Sequence, residues 1–324
     1  MVEMGMPDLG ILIFLTSIVF PLLTILAMLY LLIPVRFGIR PAAMGPVYRF
    51  VEAINPWSLV SVFMLGVLIA IVKLQDLANV IPGISLYALV GLLISFAAAR
   101  ASFDPTVLWS TAGQTVAVNK ISQDWLNCHT CALLTDAATG LDECPRCTTP
   151  LHHRKHNSIV RTWALLGTAA ILLIPANLYP VMTVIRFGHG EPSTIMSGVL
   201  HLIQGGMWGL AMIVFVASIV IPLMKLIILG YLLISVEKRS SWRPRDRTAL
   251  YRVTEVVGAW SMVDIFLVGI LSALVSLDAL STIRPGIGAS FFGAAVIVTM
   301  LAAHSFDPRL IWDNLREPAQ PVAA

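Results

Sequence analysis

The chain contains four cysteines, and they are arranged as two C-x2-C pairs. Cys128 and Cys131 form the first pair, and Cys144 and Cys147 follow after twelve intervening residues. This spacing lets four thiolates converge tetrahedrally on one ion and leaves no open coordination position. We therefore expect a structural metal site, with zinc favoured and iron in a rubredoxin-like S4 site as the alternative. A redox role of the C-x2-C pairs is a second interpretation.

Histidines near the cysteines are further candidate ligands. His129 lies inside the first C-x2-C pair, and the run His152-His153-Arg154-Lys155-His156 follows the second. The alternative interpretation of the run is a solvated basic stretch that precedes a membrane span.

Two ionisable side chains fall inside apolar stretches. Lys225 and Asp264 lie in adjacent predicted spans, where a charge is costly and usually faces the interior of the helix bundle. We expect them to pair, either on a pathway through the membrane or as structural glue. Ser218, Ser261 and Thr299 are candidates to complete this intramembrane polar network, although such hydroxyls are often packing residues.

Much of the chain is too apolar to face water. Hydrophobic residues make up 57% of its 324 residues and charged residues 12%, whereas soluble domains carry about 25% charged residues. Nearly uncharged stretches of about 20 residues predict membrane-spanning helices. Seven such spans are predicted, at residues 10–34, 57–78, 84–101, 162–184, 207–235, 256–279 and 286–304.

Basic residues mark one side of the membrane. Most of the Lys and Arg residues outside the spans lie in segments 35–52, 100–161 and 237–252, and loops rich in Lys and Arg stay in the cytoplasm. We therefore expect the cysteine segment and the C-terminus in the cytoplasm and the N-terminus in the periplasm.

The fourth predicted span ends in a distinctive motif. Asn177 and Pro180 lie at its end, with Pro175 just before them. Two prolines this close together break a helix, which predicts a bent mouth at the outer interface. Such a mouth suits a partner or a lipid headgroup, and an ordinary loop is the alternative.

Residues recur in the same order at an offset of 201 for the first block, in which Ile13–Leu22 aligns with Val214–Leu223, and at an offset of 203 for the rest. Tyr48-Arg49 aligns with Tyr251-Arg252, and Phe103-Asp104-Pro105 aligns with Phe306-Asp307-Pro308. The copies have the same predicted topology, so they form a parallel repeat. We expect three spans in the first copy and four in the second, with the cysteine segment heading the second.

These features predict an all-α polytopic membrane protein. It has about seven transmembrane helices in two parallel-repeat units, plus a small cytoplasmic zinc-ribbon or rubredoxin-like module. The predicted domains are a truncated first membrane repeat at 1–112, the four-cysteine module at 113–157, a complete second repeat at 158–316 and a tail at 317–324.

Four motifs carry a resemblance to a known family. They are Asn177–Met182, Ser218–Leu226, Trp260–Phe266 and Phe306–Asp313. Together with the C-x2-C pairs they resemble the paraquat-inducible protein A family. The resemblance implies a protein of a Gram-negative inner membrane that works with an MCE-domain protein, a hydrophobic tunnel across the periplasm. It also implies membrane phospholipid as the cargo and a role in envelope integrity.

Several classes of function are not favoured. The net charge of +3 is too small to suggest nucleic acid, and the chain has no G-x4-G-K-[ST] motif for a nucleotide. We expect a lipid-transport component and not an enzyme. The alternatives are a membrane thiol-redox or electron-transfer protein that uses the C-x2-C pairs, and a membrane scaffold without transport of its own.

Overall fold

The computed structural model describes residues 7–75, 83–111, 125–136, 140–186, 189–258, 262, 266–267, 270, 276–277 and 281–313. Within these residues, six helices are long and apolar enough to cross a membrane, which makes the chain a multi-pass membrane protein. They are Pro7–Arg36, Met44–Ile71, Ile84–Ser102, Ser158–Leu178, Ala211–Glu237 and Ile287–Ser305.

The predicted span 256–279 is the one without a counterpart among these six helices. Most of it lies outside the described residues. Its end is wrong as predicted, because Ser276–Leu277 forms a strand and not a helix.

The described chain contains twelve α-helices and six strands. The helices are α1 (Pro7–Phe14), α2 (Phe20–Arg36), α3 (Met44–Ile54), α4 (Val60–Gln75), α5 (Ile84–Ser102), α6 (Pro105–Thr111), α7 (Ser158–Leu178), α8 (Ile195–Gln204), α9 (Trp208–Phe215), α10 (Ile221–Glu237), α11 (Pro244–Gly258) and α12 (Ile287–Ser305). The strands are β1 (Trp125–Asn127), β2 (Leu134–Asp136), β3 (Met182–Arg186), β4 (His189–Ser193), β5 (Ser276–Leu277) and β6 (Ser281–Pro285).

The chain divides into two compact units. The N-terminal unit comprises Phe14–Met64 and Ile81–His153. The C-terminal unit comprises Met1–Ile13, Leu65–Val80 and Arg154–Ala324.

One hydrophobic core joins the cysteine segment to α2, α3 and α6 in the N-terminal unit. Its buried residues are Leu31, Val35, Met44, Tyr48, Leu108, Trp109, Leu133, Leu151 and the four cysteines. The rings of Tyr48 and Trp109 meet edge-on, with 5.6 Å between their centroids. The expectation that the cysteine segment heads a second copy stays a prediction. The structure adds that α2, α3 and α6 supply the core that buries the apolar residues of this segment.

Helices α7 and α12 form the centre of the C-terminal unit. The buried side chains of α7 recur every three or four residues, which places them on one face. They are Ser158, Thr162, Leu166, Ala169, Leu173 and Ala176. In the most apolar 18-residue stretch of α12, 56% of the residues are buried. In the corresponding stretch of α5, no residue is buried.

A four-stranded antiparallel sheet lies in the C-terminal unit, in the order β4-β3-β6-β5. Met182 pairs with Pro285 and Arg186 pairs with Ser281, so β3 runs the full length of β6. Together with the β1–β2 hairpin, this sheet corrects the all-α prediction to a mostly helical fold. It also shortens the predicted span 162–184, since α7 ends at Leu178 and β3 begins at Met182.

Two π-helical turns occur 201 residues apart, at Leu15–Val19 and Val216–Val220. Each is followed by a proline at the start of the next helix, Pro21 or Pro222. A proline lacks the N–H for an i→i−4 hydrogen bond and its ring crowds that carbonyl. The helical turn therefore widens by one residue, as shown by the N–H of Phe20, which donates to the carbonyl of Leu15 five residues earlier.

Candidate metal centre and intramembrane polar residues

The four cysteines form one buried cluster. Their Sγ atoms all lie within 4.8 Å of one another. Cys128 and Cys147 are 3.5 Å apart at their sulfurs, as are Cys131 and Cys144. A tetrahedral zinc site with Zn–S bonds of about 2.3 Å has sulfurs separated by about 3.8 Å. The cluster therefore has the size and the donor set of a four-thiolate metal centre.

The two C-x2-C pairs have the same backbone turn. The amide of Ala132 donates to the Cys128 carbonyl at 3.0 Å, and the amide of Thr148 donates to the Cys144 carbonyl at 2.8 Å. Both residues have a left-handed φ, of 54° and 56°. This turn brings the two sulfurs of each pair to the same side, so the two pairs face each other across one point.

The electrostatics of the cluster call for a cation. Hydrogen bonds from Cys131 and Cys144 lower the pKa of Cys128. The hydrogen bond to Cys128 raises the pKa of Cys131, and that of Cys144 rises to about 11. Beside the Cys128 thiolate, ionisation of Cys131 and Cys144 is therefore limited, since like charges this close together repel each other. A divalent cation removes that limit, and Cys128, Cys131, Cys144 and Cys147 would hold it.

The histidines do not join this cluster. His129, His152, His153 and His156 are not in the one ligand group found among the described residues, which consists of the four cysteines. His129 is exposed although both flanking cysteines are buried.

The basic run 152–156 is more than a solvated stretch, because Lys155 binds the C-terminal end of α12 and Arg154 binds Asp313 in the segment that follows this helix. Arg154 forms a bidentate ion pair with Asp313, which raises the pKa of the guanidinium. The Lys155 ammonium donates to the His304 carbonyl at 2.6 Å. Burial lowers the pKa of Lys155, and the nearby Asp307 opposes that shift. A cation at the C-terminal carbonyls of a helix is favourable.

The Phe-Asp-Pro turn after α12 is held by the start of α7. The Ser158 hydroxyl donates to the Ser305 carbonyl at 2.8 Å and accepts from the Asp307 amide at 2.9 Å. Asp307 is buried and accepts from the Lys155 amide at 3.1 Å. These contacts make the turn the joint between α7 and α12.

Lys225 is buried in α10, with 3% of its surface exposed. Its ammonium donates to the carbonyl of Gly258 in α11 at 2.9 Å. The predicted partner Asp264 lies outside the described residues, so the expected Lys225–Asp264 pair stays a prediction. The structure adds that Lys225 reaches from α10 to a backbone carbonyl of α11.

Two hydroxyls of the predicted network, those of Ser218 and Thr299, are also buried. Ser218 lies in the second π-helical turn and donates to the Val214 carbonyl at 2.6 Å. Thr299 donates to the Val296 carbonyl at 2.7 Å. These two hydrogen bonds stay within their own helices, and Ser261 is outside the described residues. The joint network of these side chains therefore remains a prediction.

The Asn177–Pro180 motif packs against the start of α12. The Asn177 side chain donates to the Leu173 carbonyl at 2.8 Å, inside α7. The Pro180 carbonyl accepts from the Gly288 amide at 3.0 Å, and the Val181 carbonyl accepts from the Gly286 amide at 2.8 Å. A Cβ atom on Gly288 would lie 2.5 Å from the Tyr179 carbonyl oxygen. The motif therefore needs glycine at 286 and 288 because two backbones touch there.

Sequence reasoning missed several of these residues. The repeated Pro-Gly pairs, Pro82-Gly83 and Pro285-Gly286, were a signal for the glycine contact. Nothing in the sequence distinguished Arg247 from the other arginines of its segment. It is buried, and its guanidinium donates to the Ser235 hydroxyl and to the Ser240 carbonyl, which closes the connection between α10 and α11.

Fold and site together define a multi-pass membrane protein with a buried four-cysteine cluster. The family model of Paraquat-inducible protein A matches residues 1–113 and 159–316. The chain belongs to this family, which confirms the resemblance noted in its motifs.

Curated relatives agree with this assignment. The chain is 31% identical over 313 residues to "Lipophilic envelope-spanning tunnel protein A" of Escherichia coli K12, covering 97% of this chain and 72% of the relative. It is 33% identical over 277 residues to "Intermembrane transport protein PqiA" of the same strain, covering 83% of this chain and 66% of the relative. A "Probable intermembrane transport protein" of Haemophilus influenzae is 29% identical over 306 residues. No solved structure gives a significant match.

Proposed function

We propose that this chain is the inner-membrane component of an intermembrane lipid transport system. It loads or unloads phospholipid for a periplasm-spanning MCE-domain protein and thereby supports envelope integrity. The names of the relatives, which describe intermembrane transport and an envelope-spanning tunnel, support this proposal. No step of it requires catalysis by the chain, in keeping with relatives that are named as transport proteins.

The observation that carries the proposal is Lys225. A buried ammonium in an apolar helix is expensive, and such residues mark substrate or ion pathways in membrane proteins. Lys225 binds a backbone carbonyl of α11, so this buried charge links two helices of the C-terminal unit. We propose that Lys225, Asp264, Ser218, Ser261 and Thr299 form the polar network through which lipid transport is controlled.

The predicted domain organisation is part of this proposal. We propose two parallel membrane repeats, at 1–112 and 158–316, with a four-cysteine zinc-ribbon module at 113–157 and a tail at 317–324. The two π-helical turns at equivalent positions favour the repeat, as does a family match that falls in two stretches on either side of the cysteines. The excess of Lys and Arg favours a cytoplasmic module and C-terminus and a periplasmic N-terminus.

The metal of the module is proposed to be structural zinc. All four sulfurs are buried, with 2% or less of each cysteine exposed. A redox partner could not reach them, and reactive cysteines are partly exposed. The burial therefore disfavours the thiol-redox alternative, while iron in the same four-thiolate site remains the second choice for the metal.

Neutralising Lys225 is the test of the lipid-transport proposal. We expect Lys225→Met to lower phospholipid transfer from the inner membrane by at least about tenfold, because the buried charge is lost. Transfer is measured with radiolabelled phospholipid between inner-membrane vesicles carrying the protein and an acceptor membrane. Monodispersity in detergent and the melting temperature report folding.

The first repeat offers a matched control. Thr24 aligns with Lys225 at the offset of 201, is buried, and donates to the Phe20 carbonyl at 2.8 Å. Thr24→Val should leave transfer within about twofold of the unchanged chain. Full transfer by a folded Lys225→Met variant would instead favour the non-transporting scaffold.

A further inference from the structure

One face of α3 lies directly against the proposed four-cysteine module at 113–157, called the cysteine module below. Gly45, Tyr48 and Arg49 are spaced three and four residues apart, so they share one side of the helix. A Cβ atom on Gly45 would lie 3.2 Å from the Arg146 carbonyl oxygen and 3.2 Å from the Cys147 Cα. The absence of a side chain at position 45 therefore allows the second C-x2-C turn to approach the helix backbone.

Arg49 makes the polar contact of this face. Its Nη1 donates to the Thr148 carbonyl at 3.1 Å. Thr148 is the left-handed residue directly after Cys147, and its amide closes the turn on the Cys144 carbonyl. Arg49 thus binds the backbone whose conformation brings the sulfurs of Cys144 and Cys147 together.

Tyr48 connects the same face to the rest of the N-terminal unit. Its ring is almost fully buried, and it stacks on Phe103 with 6.4 Å between centroids. It also meets Trp109 of α6 edge-on. The four cysteines belong to the same core, so disorder of the cysteine module would remove packing partners from α3 and α6.

We propose that α3 is the docking helix of the metal module, and that metal occupancy controls the order of α3 and α6 in the N-terminal unit. The inference rests on metal binding at the four cysteines, as given under the proposed function. A structural metal supplies most of the folding free energy of a small module with little core of its own. Loss of the metal frees the C-x2-C turns, and the contacts of Gly45, Tyr48 and Arg49 are lost with them.

The second repeat contains an internal reference for this face. Thr248, Tyr251 and Arg252 of α11 align with Gly45, Tyr48 and Arg49 at the offset of 203. The Thr248 hydroxyl accepts from the Trp312 indole at 3.0 Å, and Arg252 is exposed. The same face is therefore covered differently in α11, which makes Arg252→Ala a matched control for Arg49→Ala.

The first experiment compares the full chain in detergent before and after chelation, by hydrogen–deuterium exchange with mass spectrometry. Exchange of the peptides covering α3 and α6 should speed up by at least about tenfold on metal removal. Peptides from α7 and α11 should keep their rates. Unchanged exchange in α3, with the metal demonstrably removed, would overturn the inference.

The second experiment measures metal release from the Arg49→Ala and Arg252→Ala variants with a colorimetric chelator. Arg49→Ala should release the metal at least about threefold faster than the unchanged chain, while Arg252→Ala should match it. Equal release by the two variants would contradict the docking role. A chain that binds no metal would refute the metal centre itself, and neither readout depends on lipid transport, so the two failures are distinguishable.

Discussion

Cys144→Ser is expected to eliminate metal binding and to unfold the cysteine module. The variant removes one of four buried thiolates, and a hydroxyl is a poor ligand for a metal that prefers thiolate ligands. The loss is large, because binding of a structural zinc contributes about 10 kcal/mol or more to the folding of such modules at neutral pH. Metal content by mass spectrometry should fall from one ion per chain to about a tenth of that or less.

His129→Ala is the control for this prediction. His129 lies between Cys128 and Cys131 but is exposed and outside the ligand group. The variant should therefore keep its full metal content and the exchange protection of the module. Loss of the metal in this variant would make His129 a ligand, and retention of the metal in Cys144→Ser would refute the four-thiolate centre.

The second large effect is expected at the contact between Pro180 and α12. Gly286→Ala should lower the free energy of unfolding by about 3 kcal/mol or more, since an added Cβ would overlap the Pro180 carbonyl oxygen. The overlapping atom belongs to a backbone that is held by hydrogen bonds from Gly286 and Gly288. The collision therefore cannot be relieved by rotating a side chain. Thermal unfolding in detergent and the yield of folded protein measure the effect.

Gly83→Ala is the matched control, because Gly83 aligns with Gly286 at the offset of 203. Among the described residues, a Cβ atom there would meet only the Ser85 hydroxyl, at 3.8 Å. We expect a change in unfolding free energy within about 0.5 kcal/mol. Equal stability of the two alanine variants would show that the Pro180 contact has room to relax. Gly288→Ala, which also faces backbone oxygens, should behave as Gly286→Ala does.

The predicted outer mouth at Asn177 and Pro180 is held by hydrogen bonds to the backbone. Asn177 and Pro180 were candidates for a partner or lipid site, and their observed hydrogen bonds are to backbone atoms of α7 and of the start of α12. A role of this motif in transport would therefore act through the geometry of the two helix ends.

Apolar length and residue spacing were sufficient for much of the fold. A run of about 20 uncharged residues has few alternatives to a membrane helix, so five of the seven predicted spans needed only shifts of their ends, and the span at 57–78 proved to continue from α3. The C-x2-C spacing was sufficient for the cysteine cluster, since local turns bring each pair together. The family motifs were sufficient for the family assignment.

Contacts between distant segments were decided only by the tertiary structure. The sheet depends on pairing β3 with β6 across about a hundred residues, and short strands such as Met182–Arg186 look like loops in a sequence dominated by apolar helices. The cysteine module lies between the two predicted repeats, so chain order could not tell which flanking helices bury it. Packing decided in favour of α2, α3 and α6, because Tyr48, Trp109 and Met44 offer the apolar surface that the module lacks. The glycine at 286 likewise has meaning only when the Pro180 carbonyl is placed beside it.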